Sequence, residues 1–231
     1  MYLRTILELE EEGHIPMRAR ISERLDHSGP TVSETVARME KHGLVSLTSD
    51  RHLALTDEGR NLAIEVMRKH RLAELLLANI IGLDWHLVHE EACRWEHVIS
   101  EQVERKILAL LDQPDVSPFG NPIPGLAALG YAQNQNFIDG VIAITSLPLD
   151  RLPGSKFVLK RIGEPLQVDS NLLLQLKNLK LIPGAVVNIE QKDGDYLVVA
   201  DNDGEGSRVL TQPVSRPINI RIKGLDRPSR E

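Results

Sequence analysis

The chain has 231 residues, of which 42% are hydrophobic and 26% are charged, and its formal net charge at pH 7 is -6. This balance excludes a largely disordered chain and a polycation that would coat nucleic acid or an anionic membrane. With one cysteine, no intramolecular disulfide and no apolar run of the roughly 18 residues that span a bilayer, we expect a soluble cytoplasmic protein with no membrane partner.

The first part of the chain is predicted to be a winged helix-turn-helix. Apolar residues at helical spacing indicate a helix over 2–12. Two further helices are separated at Ser28-Gly29, with Ser28 as a candidate cap and Pro30 in the first turn of the second helix. Leucines on both sides of the polar stretch 49–51 indicate a small β-hairpin, which would be the wing.

Helices continue beyond the hairpin. Thr56 is a candidate cap for a long helix over 57–80, and residues 84–111 are predicted to form one or two more helices with a break near Ala92. Prolines and glycines in 113–125 rule out regular structure there and indicate a linker.

The last part of the chain changes to a β pattern. From Lys156 onward, short apolar runs alternate with turns, which favours a small β-barrel with a helical crossover over 172–181. The expected fold is mainly α with small β content, divided into a winged helix-turn-helix over 1–64, a helical domain over 65–130 that ends in the linker, and a linker and barrel over 131–231.

The second helix of the helix-turn-helix pair is a candidate DNA-reading element, because the first turns of such a helix enter the major groove while flanking cations contact phosphates. The alternative is a helical hairpin with solvated charges. The first 60 residues hold three more acidic than basic side chains, so a monomer should bind DNA weakly without help from dimerisation or metal. The candidate DNA-binding residues are Arg18, Ala19, Arg20, Ser28, Pro30, Thr31, Ser33, Glu34, Arg38, Lys41 and Arg51.

One short stretch, HEEACRWEH over 89–97, concentrates side chains that bind metals. If it is helical, four of them share one face: His89, Cys93, Glu96 and His97. Thiolate, carboxylate and imidazole together suit a divalent transition metal. His70 and Glu74 are four residues apart on the long helix and could form a second site with His89. The alternative for each residue is ordinary packing or a surface position, which would make Cys93 a small core residue.

An enzyme is the less favoured interpretation. Cys93 and His97 could serve as nucleophile and base, but no family signature flanks the thiol. The chain contains no GxGxxG, GxxxxGK[ST], HExxH or GxSxG motif. We therefore predict a binding protein and not an enzyme.

Five stretches together resemble the diphtheria toxin repressor family of iron-dependent regulators. They cover residues 1–130 nearly continuously and are MYLRTILELEEEG, RARISERLDHSGPTVSETVARMEKHGLV, VMRKHRLAELLL, HEEACRWEHVISEQVER and SPFGNPIPGL. The resemblance implies a repressor of iron-uptake genes that binds a palindromic, double-stranded operator as a metal-activated homodimer, with one or two dimers on each operator. It also implies that the C-terminal barrel is SH3-like.

The resemblance further implies specific sites. The primary, activating metal site would be Met1, Cys93, Glu96 and His97. The ancillary site would be His70, Glu74 and His89, completed by Glu164 and Gln167 in GEPLQVD. An anion site would be Arg71, Ser117 and Asn121. The corepressor would be Fe(II) at two sites per chain, with Co(II), Ni(II), Mn(II) or Zn(II) as substitutes.

Two alternatives remain open at this point: a manganese-dependent regulator, and a metal-independent winged-helix regulator that senses another ligand. The thiol of Cys93 favours the iron branch of the wider family, because the manganese branch carries a carboxylate there.

Two features depart from the family pattern. The chain begins at the methionine that relatives carry after a short extension, so the first helix would lack its leading residues and the amine of Met1 could become an extra ligand. Glu34 stands where relatives carry glutamine in TVSQTV. A carboxylate there could accept a hydrogen bond from cytosine but would repel phosphate, so the operator preference should differ.

Overall fold

The computed structural model describes residues 1–132, 137–147, 156–192, 195–200 and 220–224. These residues form two compact units. The first comprises Met1–Ala73, Ala92–Asp115 and Ile123–Phe137, and the second comprises Glu74–Glu91, Val116–Pro122 and the described part of Ile138–Glu231. The three domains expected from the sequence, over 1–64, 65–130 and 131–231, have boundaries other than those of the two units, and that division stays a prediction.

The first unit begins with the predicted helix-turn-helix and hairpin, which the structure confirms. The elements are α1 (Tyr2–Glu11), α2 (Arg18–Leu25), α3 (Gly29–Lys41), β1 (Val45–Leu47), β2 (Leu53–Leu55) and α4 (Asp57–Leu75). β1 and β2 pair antiparallel. Helical spacing puts apolar side chains of the helices on one face, and these enclose a core with the hairpin that includes Ile6, Leu9, Ile21, Val32, Val36, Val45 and Leu53.

Both predicted caps in this region are confirmed. The Ser28 side-chain oxygen accepts a hydrogen bond from the Thr31 amide at 3.3 Å, and Pro30 lies in the first turn of α3. The Thr56 hydroxyl oxygen accepts a hydrogen bond from the Gly59 amide at 3.0 Å, where α4 begins. Each cap satisfies a main-chain donor that the helix itself leaves without a partner, so the start of both helices is fixed by local sequence.

The long helix is shorter than predicted. α4 ends at Leu75, and a single π-helical turn over Leu76–Ile81 follows it. Asn79 and the β-branched pair Ile80-Ile81 have lower α-helix propensity than the leucines before them, which favours a change of helical form there. Gly82 then ends the turn in a left-handed conformation, with φ of 75°.

The next two helices are α5 (Val88–Trp95) and α6 (Glu101–Leu110). The break between them lies over 96–100 and not near Ala92, which is fully buried within α5. Ser100 defines the break because its side-chain oxygen accepts a hydrogen bond from the Val103 amide at 3.4 Å at the start of α6. Glu96 therefore lies in the turn after α5, and the expectation that one helical face carries all four ligand candidates of this stretch is wrong.

The proline-rich segment 113–125 contains no helix or strand, as predicted, but it is more than an exposed linker. Val116 and Pro122 form an isolated antiparallel bridge, and Phe119 is fully buried. Gly120 adopts φ of 79°, and a Cβ at this position would lie 1.9 Å from the carbonyl oxygen of Lys160. Only glycine allows this close approach, so within the second unit Gly120 is fixed against the main chain of Lys160.

The second unit contains a five-stranded antiparallel sheet with the order β3-β7-β4-β5-β6. Its strands are β3 (Ile142–Ala143), β4 (Lys156–Ile162), β5 (Val186–Lys192), β6 (Asp195–Ala200) and β7 (Ile220–Gly224), with short helices α7 (Glu164–Gln167) and α8 (Ser170–Asn178). The predicted strands and helical crossover are confirmed. Residues 201–219, part of the stretch in which turns alternate with apolar runs, lie outside the described residues. Among the described residues, no helix has the length and apolarity needed to cross a bilayer.

Candidate metal centre and nucleic-acid interface

Three ligand candidates in the first unit surround the guanidinium group of Arg4. One of its nitrogens, Nη1, contacts Glu96 Oε2 and lies 3.5 Å from Cys93 Sγ and 3.0 Å from His70 Nδ1. His70 Nδ1 is also 2.8 Å from Glu96 Oε2. A buried carboxylate, a thiol and an imidazole thus converge on one point, and that point already holds a cation.

The electrostatics of this group centre on Glu96, which is 3% exposed. Burial alone would raise the pKa of the Glu96 carboxyl, but the hydrogen bond with His70 and the charge of Arg4 outweigh burial and hold the pKa below its ordinary value. The main-chain nitrogen of Met1 is close enough to respond to the same carboxylate. Burial lowers the pKa of this amino group, and Glu96 opposes that shift. The ionised form of Glu96 is therefore favoured, which suits a position that holds a cation.

His97 and Met1, the other two predicted primary ligands, lie at the edge of this group. His97 Nε2 is 3.3 Å from Glu96 Oε1, and the His97 side chain is 54% exposed. Met1 immediately precedes α1 and is exposed. The structure thus brings Cys93, Glu96 and His97 together, while ligation by the Met1 sulfur stays a prediction.

Arg4 was absent from the sequence-based site. The signal that could have found it is spacing, because Met1, Arg4 and Glu8 fall at i, i+3 and i+7 and so share one face of α1. His70 was assigned to the other metal site, and its contact with Glu96 joins residues 26 positions apart in the chain. Sequence spacing does not indicate a contact of that kind.

A second group of candidates lies in the second unit. His89 Nδ1 is 3.2 Å from Glu74 Oε1 and 3.5 Å from Glu164 Oε2. All three residues are at most 4% exposed. Two carboxylates and an imidazole in a buried position are a donor set that a divalent metal satisfies, since burial makes charges costly unless an opposite charge compensates them.

Gln167, the weakest of the predicted ligands, supports this second group by its hydrogen bonding. Its side chain is 2% exposed, and its Nε2 donates to the carbonyl oxygen of Ile162 at 2.7 Å. Its Oε1 has no hydrogen-bond partner among the residues that the structure describes. A buried carbonyl oxygen without a hydrogen bond is stabilised by a donor or by a cation, so the residues present fit a metal ion.

His70, the remaining predicted ancillary ligand, belongs to the first unit. It precedes Glu74 by one turn of α4, and both residues are fully buried. The i, i+4 spacing predicted from the sequence is therefore helical, as expected, while joint ligation stays a prediction.

The predicted anion residues divide between the two units. Arg71 donates two hydrogen bonds to Glu11, from Nη1 to Oε1 at 3.1 Å and from Nη2 to Oε2 at 2.7 Å, so its charge already has an anionic partner. In the second unit, Asn121 donates from Nδ2 to the Ile162 carbonyl at 3.0 Å, and Ser117 accepts from the Phe119 amide at 3.2 Å. An anion bound by Arg71, Ser117 and Asn121 stays a prediction.

Most of the candidate DNA-binding side chains lie at the start of α3 or on its outer face, while Ala19 and Arg20 lie on α2 and Arg51 lies between β1 and β2. Val32, Val36 and Met39 turn inward into the core, which leaves the other face of the helix exposed. The hydroxyl oxygens of Ser28 and Thr31 are 2.7 Å apart at the start of this face. The exposed candidates are Ala19, Arg20, Ser28, Pro30, Thr31, Ser33, Glu34, Arg38, Lys41 and Arg51, whereas Arg18 is half-buried.

Two family models match this chain. The model described as "Iron dependent repressor, N-terminal DNA binding domain" matches residues 1–53, and the one described as "Iron dependent repressor, metal binding and dimerisation domain" matches residues 56–125. The chain belongs to the iron-dependent repressor family. This is a family of transcriptional repressors and not of enzymes, as predicted from the absence of catalytic motifs. The match places a DNA-binding domain before a metal-binding and dimerisation domain.

Individual members of the iron-dependent repressor family agree with the domain models. The chain is 54% identical over 202 residues, 86% of each chain, to the iron-dependent repressor IdeR of Mycobacterium tuberculosis (strain CDC 1551 / Oshkosh). It is 53% identical over 197 residues, 84% of each chain, to the diphtheria toxin repressor of Corynebacterium diphtheriae. The resemblance inferred from five sequence stretches is thereby confirmed.

Solved structures show the same fold. A manganese-dependent transcriptional repressor in complex with manganese matches with a TM-score of 0.78 and 25% identity, over 97% of this chain and 98% of that one. IdeR of T. acidophilum matches with a TM-score of 0.73 and 28% identity, over 96% of both chains. Since the relatives at 54% identity are iron-dependent repressors, the manganese-dependent alternative is not favoured.

Proposed function

We propose that this iron-dependent repressor is activated by Fe(II) at two sites per chain and then binds a palindromic operator as a homodimer, in the cytoplasm. The observation that carries the proposal is the convergence of Cys93 and Glu96 on a single cation position in a buried setting. A buried carboxylate beside a thiol that can ionise favours a cation at that point, because burial destabilises a negative charge that no cation compensates.

The primary site would be formed by Met1, Cys93, Glu96 and His97. Fe(II) supplies two positive charges and Lewis acidity, and it accepts soft and borderline donors together. Cys93 provides the soft donor, Glu96 provides the negative charge, and exposed His97 can rotate toward the ion. Met1 would add a donor from α1, so that occupation of the site links α1 to the turn after α5.

The ancillary site would be formed by His70, Glu74, His89, Glu164 and Gln167. Glu74, His89 and Glu164 are already within hydrogen-bonding range or close to it, and Gln167 has a buried oxygen that lacks a donor. These donors are harder than those of the primary site, so this site should discriminate less between Fe(II), Mn(II), Co(II), Ni(II) and Zn(II). Its residues come from the helical part of the chain and from α7, so metal there would stabilise the C-terminal part.

The operator would be read by α3, with the hairpin and the exposed cations on the backbone. In a dimer two such helices enter successive major grooves one helical turn apart, which is why the operator should be palindromic. One or two dimers would occupy each operator, and iron-uptake genes would be the targets. The five-stranded antiparallel sheet supports an SH3-like domain over 131–231, after a DNA-binding domain over 1–64 and a helical domain over 65–130.

The test is DNA binding with and without metal. Fluorescence anisotropy on a labelled palindromic operator should show tight binding with Co(II) or Ni(II), which are air-stable substitutes for Fe(II), and weak binding with a chelator. Because coupling is reciprocal, the operator should raise metal affinity by the same factor. Equal affinity with metal and with chelator would refute metal activation.

Single-residue variants test which side chains are needed for activation of DNA binding by metal. Cys93→Ala and Glu96→Gln should abolish activation by Co(II), because each removes a primary ligand, while His70→Ala should weaken it less. Glu101→Gln is the matched control, because it removes the same charge from an exposed position on α6. If Glu96→Gln and Glu101→Gln respond to metal alike, Glu96 is not a ligand.

A further inference from the structure

One face of α1 and its C-cap carries a row of charged side chains that extends from the primary site to the helix-turn-helix. Arg4, Glu8 and Glu12 are four residues apart, so they follow one another along the helix, and all three are buried. Arg4 uses two different nitrogens on two carboxylates. Its Nη1 contacts Glu96, and its Nε is 2.8 Å from Glu8 Oε1.

We infer that Arg4 is an exchangeable counter-cation of the primary site, which metal displaces from Glu96 and Cys93 and which Glu8 then retains. The inference rests on the proposed metal site. In the structure the Arg4 guanidinium supplies the positive charge that a buried Glu96 requires. A divalent ion bound to Glu96 and Cys93 would place like charges in contact with that guanidinium, so metal and Arg4 compete for the same two ligands.

Glu8 is the element that makes displacement feasible. A buried arginine that loses its carboxylate is strongly destabilising unless another anion takes its charge. Glu8 is 4% exposed and already holds the other side of the Arg4 fork, so Arg4 can leave Glu96 without leaving its second partner. Arginine suits this role better than lysine, because its planar fork can serve two carboxylates at once.

The exchange also reaches the helix-turn-helix. Glu8 Oε2 is 3.7 Å from Arg24 Nη1, and Arg24 donates to Glu12 from Nη2 at 2.6 Å. Arg24 lies in the last turn of α2, just before the turn that leads to α3. When Glu8 takes the full charge of Arg4, its attraction for Arg24 decreases. Binding of metal at Glu96 would thereby weaken the ion pair between Glu8 and Arg24 of α2, through the movement of Arg4.

The competition predicts opposite effects for two variants of α1. Arg4→Leu removes the competing cation, so Co(II) should bind the primary site about tenfold more tightly, a size typical of coupled sites. Glu8→Gln removes the anion that retains displaced Arg4, so Co(II) should bind more weakly by a similar factor. A role in packing alone would weaken binding in both variants.

The first readout is calorimetric titration of chelator-treated protein with Co(II). It is combined with the Co(II)–thiolate absorption, which reports only the site that contains Cys93, because the chain has one cysteine. The matched control is Arg60→Leu. Arg60, on α4, forms an ion pair at 2.8 Å with Glu10, which lies on α1 with Arg4 and Glu8. None of the described contacts of Arg60 is with a predicted ligand, so its loss should leave Co(II) affinity unchanged. A second readout is thermal stability: Arg4→Leu should lower the Tm of the metal-free protein, and saturating Co(II) should remove most of that difference.

Arg4→Lys keeps the charge but cannot serve both carboxylates, so it should bind Co(II) with an affinity between those of the parent and Arg4→Leu. If Arg4→Leu does not fold, Arg4→Lys and Glu8→Gln decide the question. Co(II) affinity that is unchanged or lower in the Arg4 variants, or unchanged or higher in Glu8→Gln, overturns the inference. Failure of the proposed function looks different, because then the parent would give no Co(II)–thiolate absorption.

Discussion

The ion pair between Arg68 and Glu104 joins α4 to α6 in the part of the chain that matches the metal-binding and dimerisation domain. Arg68 Nε donates to Glu104 Oε1 at 2.7 Å and Nη2 donates to Oε2 at 3.3 Å, while Nη1 donates to the Gly125 carbonyl at 3.2 Å. The side chains of Arg68 and Glu104 are 7% and 0% exposed. Replacing Glu104 by Gln would leave a buried cation with only dipolar partners.

Removing one partner of a buried pair costs about 3–5 kcal/mol. Because glutamine keeps the shape of glutamate and can still accept one hydrogen bond from Arg68, Glu104→Gln should fall near the lower end. The free energy of unfolding should decrease by about 3 kcal/mol, which corresponds to a drop in Tm of roughly 6–12 °C for a chain of this size.

The assay is urea unfolding of metal-free protein followed by circular dichroism. Glu101→Gln is the control, because the pair Arg105–Glu101 on the same helix is 45% and 63% exposed and should contribute less than about 1 kcal/mol. A double variant, Arg68→Met with Glu104→Leu, should recover most of the loss, because no buried charge remains. If Glu104→Gln destabilises no more than Glu101→Gln, the buried pair does not hold the two helices together.

Two further predictions concern single groups. The pKa of Glu96 is lowered in the folded protein, so its contribution to stability is present above its ordinary pKa of 4.5 and is lost as the pH falls through the folded value. Chelator-treated parent should therefore lose stability more steeply below pH 4.5 than Glu96→Gln, and parallel acid-unfolding curves would contradict this. Ser28→Ala removes the cap of α3 and should cost about 1 kcal/mol of unfolding free energy, whereas Ser46→Ala, at an exposed strand position, should cost much less.

The elements that could be predicted from the sequence are those that local chemistry determines. Ser28 and Thr56 mark helix starts because a side-chain oxygen satisfies a main-chain amide three residues ahead, and both caps are observed. Strand β4 begins at Lys156, where the β pattern was predicted to begin, because a short apolar run bounded by turn residues favours a strand. Family resemblance then supplied ligand assignments that spacing alone left open.

Features that depend on distant contacts could not be predicted in this way. Arg4 meets Glu96 across 92 positions, and nothing near either residue indicates the pairing. The segment 113–125 has the composition of an exposed linker, yet Phe119 is fully buried because the fold brings β4 against it. The break after α5 was misplaced because a candidate cap such as Ser100 is weak evidence until helix length is known.

The acidic balance of the first 60 residues also has a structural explanation that bears on DNA binding. Two glutamates of α1 and the Glu12 that caps it pair with arginines within the same unit, as Glu8–Arg4, Glu10–Arg60 and Glu12–Arg24. These charges cancel locally, and their arginines are unavailable to phosphate. Arg20, Arg38, Lys41 and Arg51 remain exposed for phosphate contacts, but exposed acidic residues such as Glu34 lie among them, so one half-site should bind weakly. Affinity should then depend on placing two α3 helices at once, and under the proposed function a metal ion that controls their placement would switch binding without touching DNA.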